Sequence, residues 1–247
     1  MQSNPVTTPE TPAVLGSLPV LRAIGLGGQR GERPLFERLD LALEPGSVTW
    51  LRGRNGRGKT TLLRLLAGLA SPTAGEIRLG GEAGGRTARE AGPAWRRMLV
   101  FIGHHNALKD DLDAGEALDF LCRLSGARPA PERIQAALAR LGVQHKRRAP
   151  VRTLSQGQRR RVALARLALA LDQPLWLLDE PFDALDADGI ATLNALLAEH
   201  AARGGATLLT SHQALSLAHP VPRELDLDRH IAATQGRPVP GTDDGRA

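Results

Sequence analysis

Gly53-Arg54-Asn55-Gly56-Arg57-Gly58-Lys59-Thr60 decides how this chain of 247 residues folds. It fits G-x-x-x-x-G-K-[ST], a loop in which glycines let the main chain turn so that successive N–H groups point at phosphate oxygens. A helix beginning near Lys59 adds its positive N-terminal end. In that geometry Lys59 contacts the β- and γ-phosphates, the Thr60 hydroxyl ligates Mg²⁺, and Thr61 reaches the α-phosphate. Gly53 to Thr61 are therefore the expected triphosphate-binding residues: Gly53, Arg54, Asn55, Gly56, Arg57, Gly58, Lys59, Thr60 and Thr61. Arg54 and Arg57 either add charge beside the phosphates or point to solvent. The flanks agree with the motif. Ser47–Arg52 (SVTWLR) is a short β-favouring run, and Lys59–Ala70 has helical spacing with Leu at 62, 63, 65, 66 and 69.

Further along, Leu175-Trp176-Leu177-Leu178-Asp179-Glu180-Pro181 is four apolar residues followed by two acids. A continuous apolar run of this length reads as a central strand of a parallel sheet. Ending in Asp179, it delivers a carboxylate to a metal at the tip of the sheet, with Glu180 near the γ-phosphate, where it orients or deprotonates water. Between the two motifs, Leu154-Ser155-Gln156-Gly157-Gln158 opens a long helix expected over Gln158–Leu171. Ser155 suits its N-cap, and Gly157 lets the backbone come close to a ligand. By itself the run Arg159–Arg161 reads as a solvated basic face, and His212, after the buried strand Ala206–Thr210, as a structural residue.

Leu18–Leu26 and Leu39–Leu43 alternate as edge strands, Glu76–Leu79 and Met98–Ile102 read as strands, and the Gly-rich Gly80–Gly92 reads as a loop. From Asn106 to Pro150 the pattern turns helical. Ala114–Ser125 and Pro131–Leu141 are amphipathic candidates separated by Gly126–Ala130, a helical insertion in an α/β core. Arg147–Thr153 is a basic loop and Asp188–Arg203 another helix. Residues 1–17 read as a disordered leader and 234–247 as a flexible tail. No internal repeat is present. Cys122 is the only cysteine, which excludes an intramolecular disulfide. Its apolar helical surroundings make it a small buried hydrophobe. No apolar run is long enough to span a bilayer. The net charge is +6 and the pI about 10.7, almost all from Arg, since Lys occurs only at 59, 109 and 146. Such a balance fits nucleic acid, anionic lipid or phosphate ligands, or simply an Arg-favouring genome.

The order of the motifs is more specific than any one of them. A phosphate loop, then LS-x-GQ about a hundred residues on, then an apolar strand ending in Asp-Glu resembles the ATP-binding-cassette (ABC) family over roughly Leu18–Ala218. The resemblance implies an α/β fold: a P-loop NTPase core over 18–233, with a helical subdomain at 106–150 and a small antiparallel β subdomain. It implies ATP and Mg²⁺ as cofactors. Glu180, His212 and Lys59 become catalytic residues, with His212 as the switch that reads the γ-phosphate. Leu154, Ser155, Gln156, Gly157 and Gln158 become a signature whose Ser155 and Gly157 contact the γ-phosphate bound by the opposite protomer of a homodimer. Asp183–Asp186 (DALD) becomes the dimer-contact loop. Thr60 and Asp179 become Mg²⁺ ligands, and His105 stands where the family carries a metal- and water-contacting glutamine.

Within the family, Gly103-His104 with Lys109, then LSQGQRRRVALARL, LWLLDEPFDALD, HAARGG and TSHQAL, resemble the haem-exporter ATPases of cytochrome c maturation. That implies an integral membrane permease subunit as partner, peripheral placement on the cytoplasmic face of the bacterial inner membrane, and no nucleic acid. Haem itself is carried by resemblance alone. Three departures stand out: His105 for glutamine, no aromatic in Gln29–Arg33 to stack on adenine, and Gln156 for a small residue. Arg30 or Arg33 are the candidates to stack in place of the aromatic. Competing readings are an ABC ATPase for a different exported substrate, a weakly hydrolysing regulatory subunit, and a nucleic-acid-linked ABC protein.

Overall fold

The structure is a computed structural model and describes residues 20–80, 86–213 and 215–230. In chain order the elements are β1 (Leu21–Arg30), β2 (Arg33–Leu43), β3 (Val48–Arg52), α1 (Lys59–Leu66), β4 (Ala74–Leu79), β5 (Arg86–Thr87), α2 (Ala88–Ala91), α3 (Pro93–Met98), β6 (Leu99–Ile102), α4 (Ala114–Leu124), α5 (Pro131–Arg140), α6 (Gln156–Leu169), β7 (Leu175–Leu178), α7 (Ala187–Ala202), β8 (Ala206–Thr210) and β9 (Arg223–Asp226), with 3-10 turns at Gln144–Lys146, Val151–Thr153 and Leu227–His230. The leader and tail expected at 1–17 and 234–247 lie outside the described residues.

Two sheets organise these elements. One is antiparallel, in the order β2-β1-β4-β5; the other is parallel, in the order β6-β7-β8-β3-β9. The four residues of β7 are all buried because the parallel sheet is covered on both faces. Trp176 and Leu178 pack with α4, α5, α6 and α7, whereas Leu175 and Leu177 pack with α1 and the antiparallel sheet. The first two strands run longer than the expected 18–26 and 39–43. β2 begins at Arg33 because it pairs with β1 down to Arg30↔Arg33. Adjacent buried Leu35 and Phe36, and the register shifts along the pair, hide the alternation there. The expected loop at Gly80–Gly92 is corrected in part. Residues 81–85 lie outside the described residues, but β5 and α2 follow them.

Side-chain caps set the starts of α4 and α6. Asp113 caps α4 in a capping box with Glu116, and Ser155 caps α6 in a capping box with Gln158. Because Gln158 is the third residue of its box, α6 starts at Gln156, two residues earlier than expected. Cys122 is buried in α4, and burial pushes its thiol up to about 11. Among the described residues no helix is long and apolar enough to cross a membrane.

His200 of α7 is fully buried and stacks on Trp176, with ring centroids 3.8 Å apart and planes 2° from parallel. Its Nε2 lies 2.8 Å from the Gln173 carbonyl and its Nδ1 3.2 Å from the Thr207 hydroxyl. A carbonyl only accepts, so Nε2 carries the proton and Nδ1 accepts from the hydroxyl; the neutral imidazole satisfies both. The stack leaves no room for a side chain at Gly205, which accounts for the HAARGG string. Burial pushes the His200 pKa down to about 4, against the opposing pull of the Gln173 carbonyl. The folded chain thus refuses a proton that the unfolded chain accepts below about pH 6.5. Stability is untouched above that pH and falls as the pH drops toward 4, by about 3 kcal/mol over the whole window. Urea unfolding should give about 2 kcal/mol less stability near pH 5 than near pH 7.5. His200→Gln should flatten that slope, and an unchanged slope in the variant would assign the acid loss to other groups.

Candidate active site

β3 runs directly into the phosphate loop. Gly53, Gly56 and Gly58 sit at φ 144°, 78° and 104°, values that side-chain-bearing residues rarely adopt. Gly58 also packs against β2: a Cβ there would stand 3.1 Å from Leu35. From the far end of the chain Asp228 clasps the loop. Its Oδ2 accepts from the Arg54 N–H at 3.1 Å, and its Oδ1 pairs with Arg57 Nε at 3.1 Å. Arg57 is therefore held by a carboxylate. Lys59 lies across the loop, its Nζ donating to the Gly53 carbonyl at 2.7 Å.

β7, an interior strand between β6 and β8, places Asp179 beside this loop. Thr60 Oγ1 donates to Asp179 Oδ2 at 2.8 Å, and Thr210 Oγ1, at the end of β8, donates to Asp179 Oδ1 at 2.9 Å. The same Thr210 oxygen accepts from the Glu180 N–H at 2.7 Å. The Glu180 carboxylate accepts from the His212 N–H at 3.1 Å, and the His212 ring nitrogen Nε2 lies 3.5 Å from it. One connected network thus runs Thr60–Asp179–Thr210–Glu180–His212 across the C-terminal edge of the parallel sheet, where open α/β sheets hold their ligands. Asp179 and Glu180 are almost fully buried, and His212 is exposed.

A cavity of about 330 Å³ opens over the network, lined by Arg54, Asn55, Gly56, Gly58, Lys59, Thr60, Thr61, Asp179, Glu180 and His212, with Arg30 and Leu35 at one end. Of the sequence-derived phosphate residues, Gly53 and Arg57 do not line it; the others do, together with Asp179 and Glu180. Arg30, one of the two arginines considered for stacking, lines the same cavity. Ser155 and Gly157 do not line this cavity. The loop after β6 presents His104 to it, 4.0 Å from Asp183, whereas His105 lines the adjoining groove beside Asn106, Thr60 and Asp179. Gly157 is needed within its own chain: a Cβ there would stand 2.8 Å from the Ala184 carbonyl of the DALD loop. Gln156 is exposed.

Arg160 overturns the solvated reading of Arg159–Arg161, being only 4% exposed. Burial pushes its pKa below the ordinary value, while the carboxylates of Asp183, Asp179 and Glu180 oppose that. Sequence reasoning missed Arg160, Thr210 and Asp228. Arg160 was detectable: with Ala163, Leu164 and Leu167 it forms the i, i+3, i+4, i+7 buried stripe of α6. Thr210 carries a weaker signal, as the polar end of an apolar strand. Asp228 carries none, because its contacts lie about 170 residues away in sequence.

This geometry defines a P-loop ATPase, and residues 36–183 match the family model described as ABC transporter. The chain belongs to the ABC transporter family, and its activity is ATP hydrolysis coupled to transport. More narrowly, it is similar to the proteins called cytochrome c biogenesis ATP-binding export protein CcmA. It is 45% identical to that of Cupriavidus necator over 85% of this chain and 89% of the relative. It is 48% identical to that of Pseudomonas putida (strain GB-1) over 86% of this chain and 98% of the relative. A solved ATP-binding subunit of an ABC transporter superposes with a TM-score of 0.70 at 25% identity, over 78% of this chain and 79% of that one.

Thr210→Val keeps the shape of the side chain but removes the hydroxyl that joins Asp179 to the Glu180 N–H. It should destabilise the chain by about 1–3 kcal/mol, since a buried donor loses its partner. Turnover should fall by roughly tenfold or more. Parallel urea unfolding and ATPase assays check this, and wild-type turnover in the variant would remove Thr210 from the site.

Proposed function

We propose that this chain is the ATPase subunit that drives a haem-handling export step in c-type cytochrome biogenesis, working as a homodimer docked on an integral membrane permease at the cytoplasmic face of the membrane. The observation that carries the ATPase half is the Thr60–Asp179–Thr210–Glu180–His212 network beside the phosphate loop. The export role rests on the likeness to the CcmA proteins.

In this reading Lys59 and the loop N–H groups of Gly53–Thr61 hold the triphosphate. Mg²⁺ fits the residues present. Thr60 and Asp179 offer hard oxygen donors 2.8 Å apart at the edge of the cradle, which suits an ion that takes its remaining ligands from phosphate and water. When bound, it would offset charge on the phosphate oxygens. Glu180 accepts a proton from the attacking water, and the His212 N–H holds that carboxylate in place. Ser155 Oγ accepts from the Gln158 N–H, so its own hydrogen remains to be donated. Ser155 is exposed at the start of α6 and does not line its own phosphate cavity, which supports a reading in which it donates to the γ-phosphate on a second copy, with Gly157 beside it. The groove next to His105 is lined by Leu69, Phe101 and Leu121 together with Arg64 and Arg166, and Leu69 is 54% exposed. This apolar and basic groove suits a segment of the membrane subunit.

Three experiments test this reading. Glu180→Gln should retain ATP and shift the chain from monomer to dimer on addition of MgATP, read by size exclusion with light scattering; a monomer throughout would overturn the dimeric site. His105→Gln should raise turnover or change its Mg²⁺ dependence, and equal rates for both proteins across about pH 6–8 would show that the imidazole does the work of the amide. Deleting the gene should abolish covalent haem in c-type cytochromes. The wild-type gene should restore it and Lys59→Ala should not. Normal cytochromes in the deletion strain would point to another exported substrate.

A further inference from the structure

Arg160 spends its whole guanidinium fork inside the protein. Nε donates to the Pro181 carbonyl at 3.3 Å, and Nη1 donates to the Gly103 carbonyl at 3.1 Å and to Asn106 Oδ1 at 3.0 Å. Nη2 donates to the carbonyls of Asp179 at 3.0 Å and Glu180 at 2.6 Å. One side chain thereby closes three segments onto each other: helix α6, whose first turn carries Ser155 and Gly157; the Asp-Glu-Pro turn after β7; and the loop after β6 that carries His105. Four of the five acceptors are main-chain carbonyls, so the fork fixes the path of the backbone more than it pairs a charge. Among the described residues no carboxylate pairs directly with this buried guanidinium, although the charges of Asp183, Asp179 and Glu180 favour it; an apolar side chain would fill the space at less cost.

What it fixes is strained. Glu180 adopts φ 48°, a left-handed conformation that a side chain with a Cβ resists. Such a conformation persists only where its surroundings over-determine it. Here the Glu180 N–H is held by Thr210, and its carbonyl accepts from both Arg160 and the Asp183 N–H, the latter at 3.2 Å. We infer that Arg160 is a positioning residue for hydrolysis: it holds Glu180 in the strained conformation that aims its carboxylate, and it transmits displacements of the Gly103–Asn106 loop and of α6 to that carboxylate. The inference rests on the role given to Glu180 above.

The test uses the complex assembled with its membrane subunit and compares kcat, KM, MgATP affinity and thermal unfolding. Arg160→Gln should lower kcat by roughly tenfold or more, with KM and affinity within about twofold of wild type, because no Arg160 contact reaches the phosphate loop. Asn106→Ala leaves the guanidinium in place and cuts only its side-chain link to the β6 loop. It should lower kcat by about threefold. The double variant should be no slower than Arg160→Gln alone, since both changes break one linkage. Arg160→Lys keeps the charge without the fork and should stay closer to Arg160→Gln than to wild type. Full rate in Arg160→Lys, wild-type rate in Asn106→Ala, multiplying effects in the double variant, or a KM that rises as kcat falls would each overturn the inference. If Arg160→Gln does not fold, Arg160→Lys and Asn106→Ala still decide it. Glu180→Gln run alongside separates the two claims: undiminished turnover there would remove the role of Glu180 itself, whatever Arg160 does.

Discussion

The hydrogen bond from the Thr60 hydroxyl to the Asp179 carboxylate joins the first helix of the core to the end of β7, and the site is arranged around it. It can form only if β3 and β7 end at the same level of the sheet. The register provides this: β8 lies between them, pairing Leu51 with Thr210 on one side and Leu178 with Leu209 on the other. Thr210 at the end of β8, Asp179 just past β7, and Thr60 on the helix that follows β3 then converge because the three strands end together. The parallel sheet can hold that level because it is buried on both faces, which also accounts for the unbroken apolar run of β7.

The parts of the fold carried by local pattern were readable from the sequence. The phosphate loop, the strand ending in Asp-Glu and the Ser155 cap each depend on residues within a few positions of one another, and each stands where the pattern puts it. What was not readable depends on chain partners far apart. The true length of β2 is set by pairing with β1. Arg160 is the exception: the i, i+3, i+4, i+7 stripe of α6 marks it locally, although the run of three arginines reads as a solvated face. His104 and His105 are adjacent and chemically alike, and only the turn after β6 decides which one meets the phosphate cavity.

Two glycines of the motifs do different work. Gly58 has a positive φ and leaves space for Leu35 on the antiparallel sheet, so the phosphate loop is shaped by both sheets. Gly157 is helical, and its missing side chain admits the Ala184 carbonyl. The start of α6 and the DALD loop are thus packed together within one chain, so in the proposed dimer a second copy would meet a single preassembled surface.

The Asp228 clasp has a consequence for how the protein is made. The phosphate loop is encoded early and the carboxylate that steadies it very late, beyond a strand, β9, that docks on β3 itself. On the ribosome, residues 53–61 emerge long before 223–228, so the loop spends most of translation without the partner that ties its Arg54 N–H and Arg57 side chain. The nucleotide site is therefore among the last parts of the fold to be completed, and a nascent or truncated chain that has built most of its core still lacks a finished one.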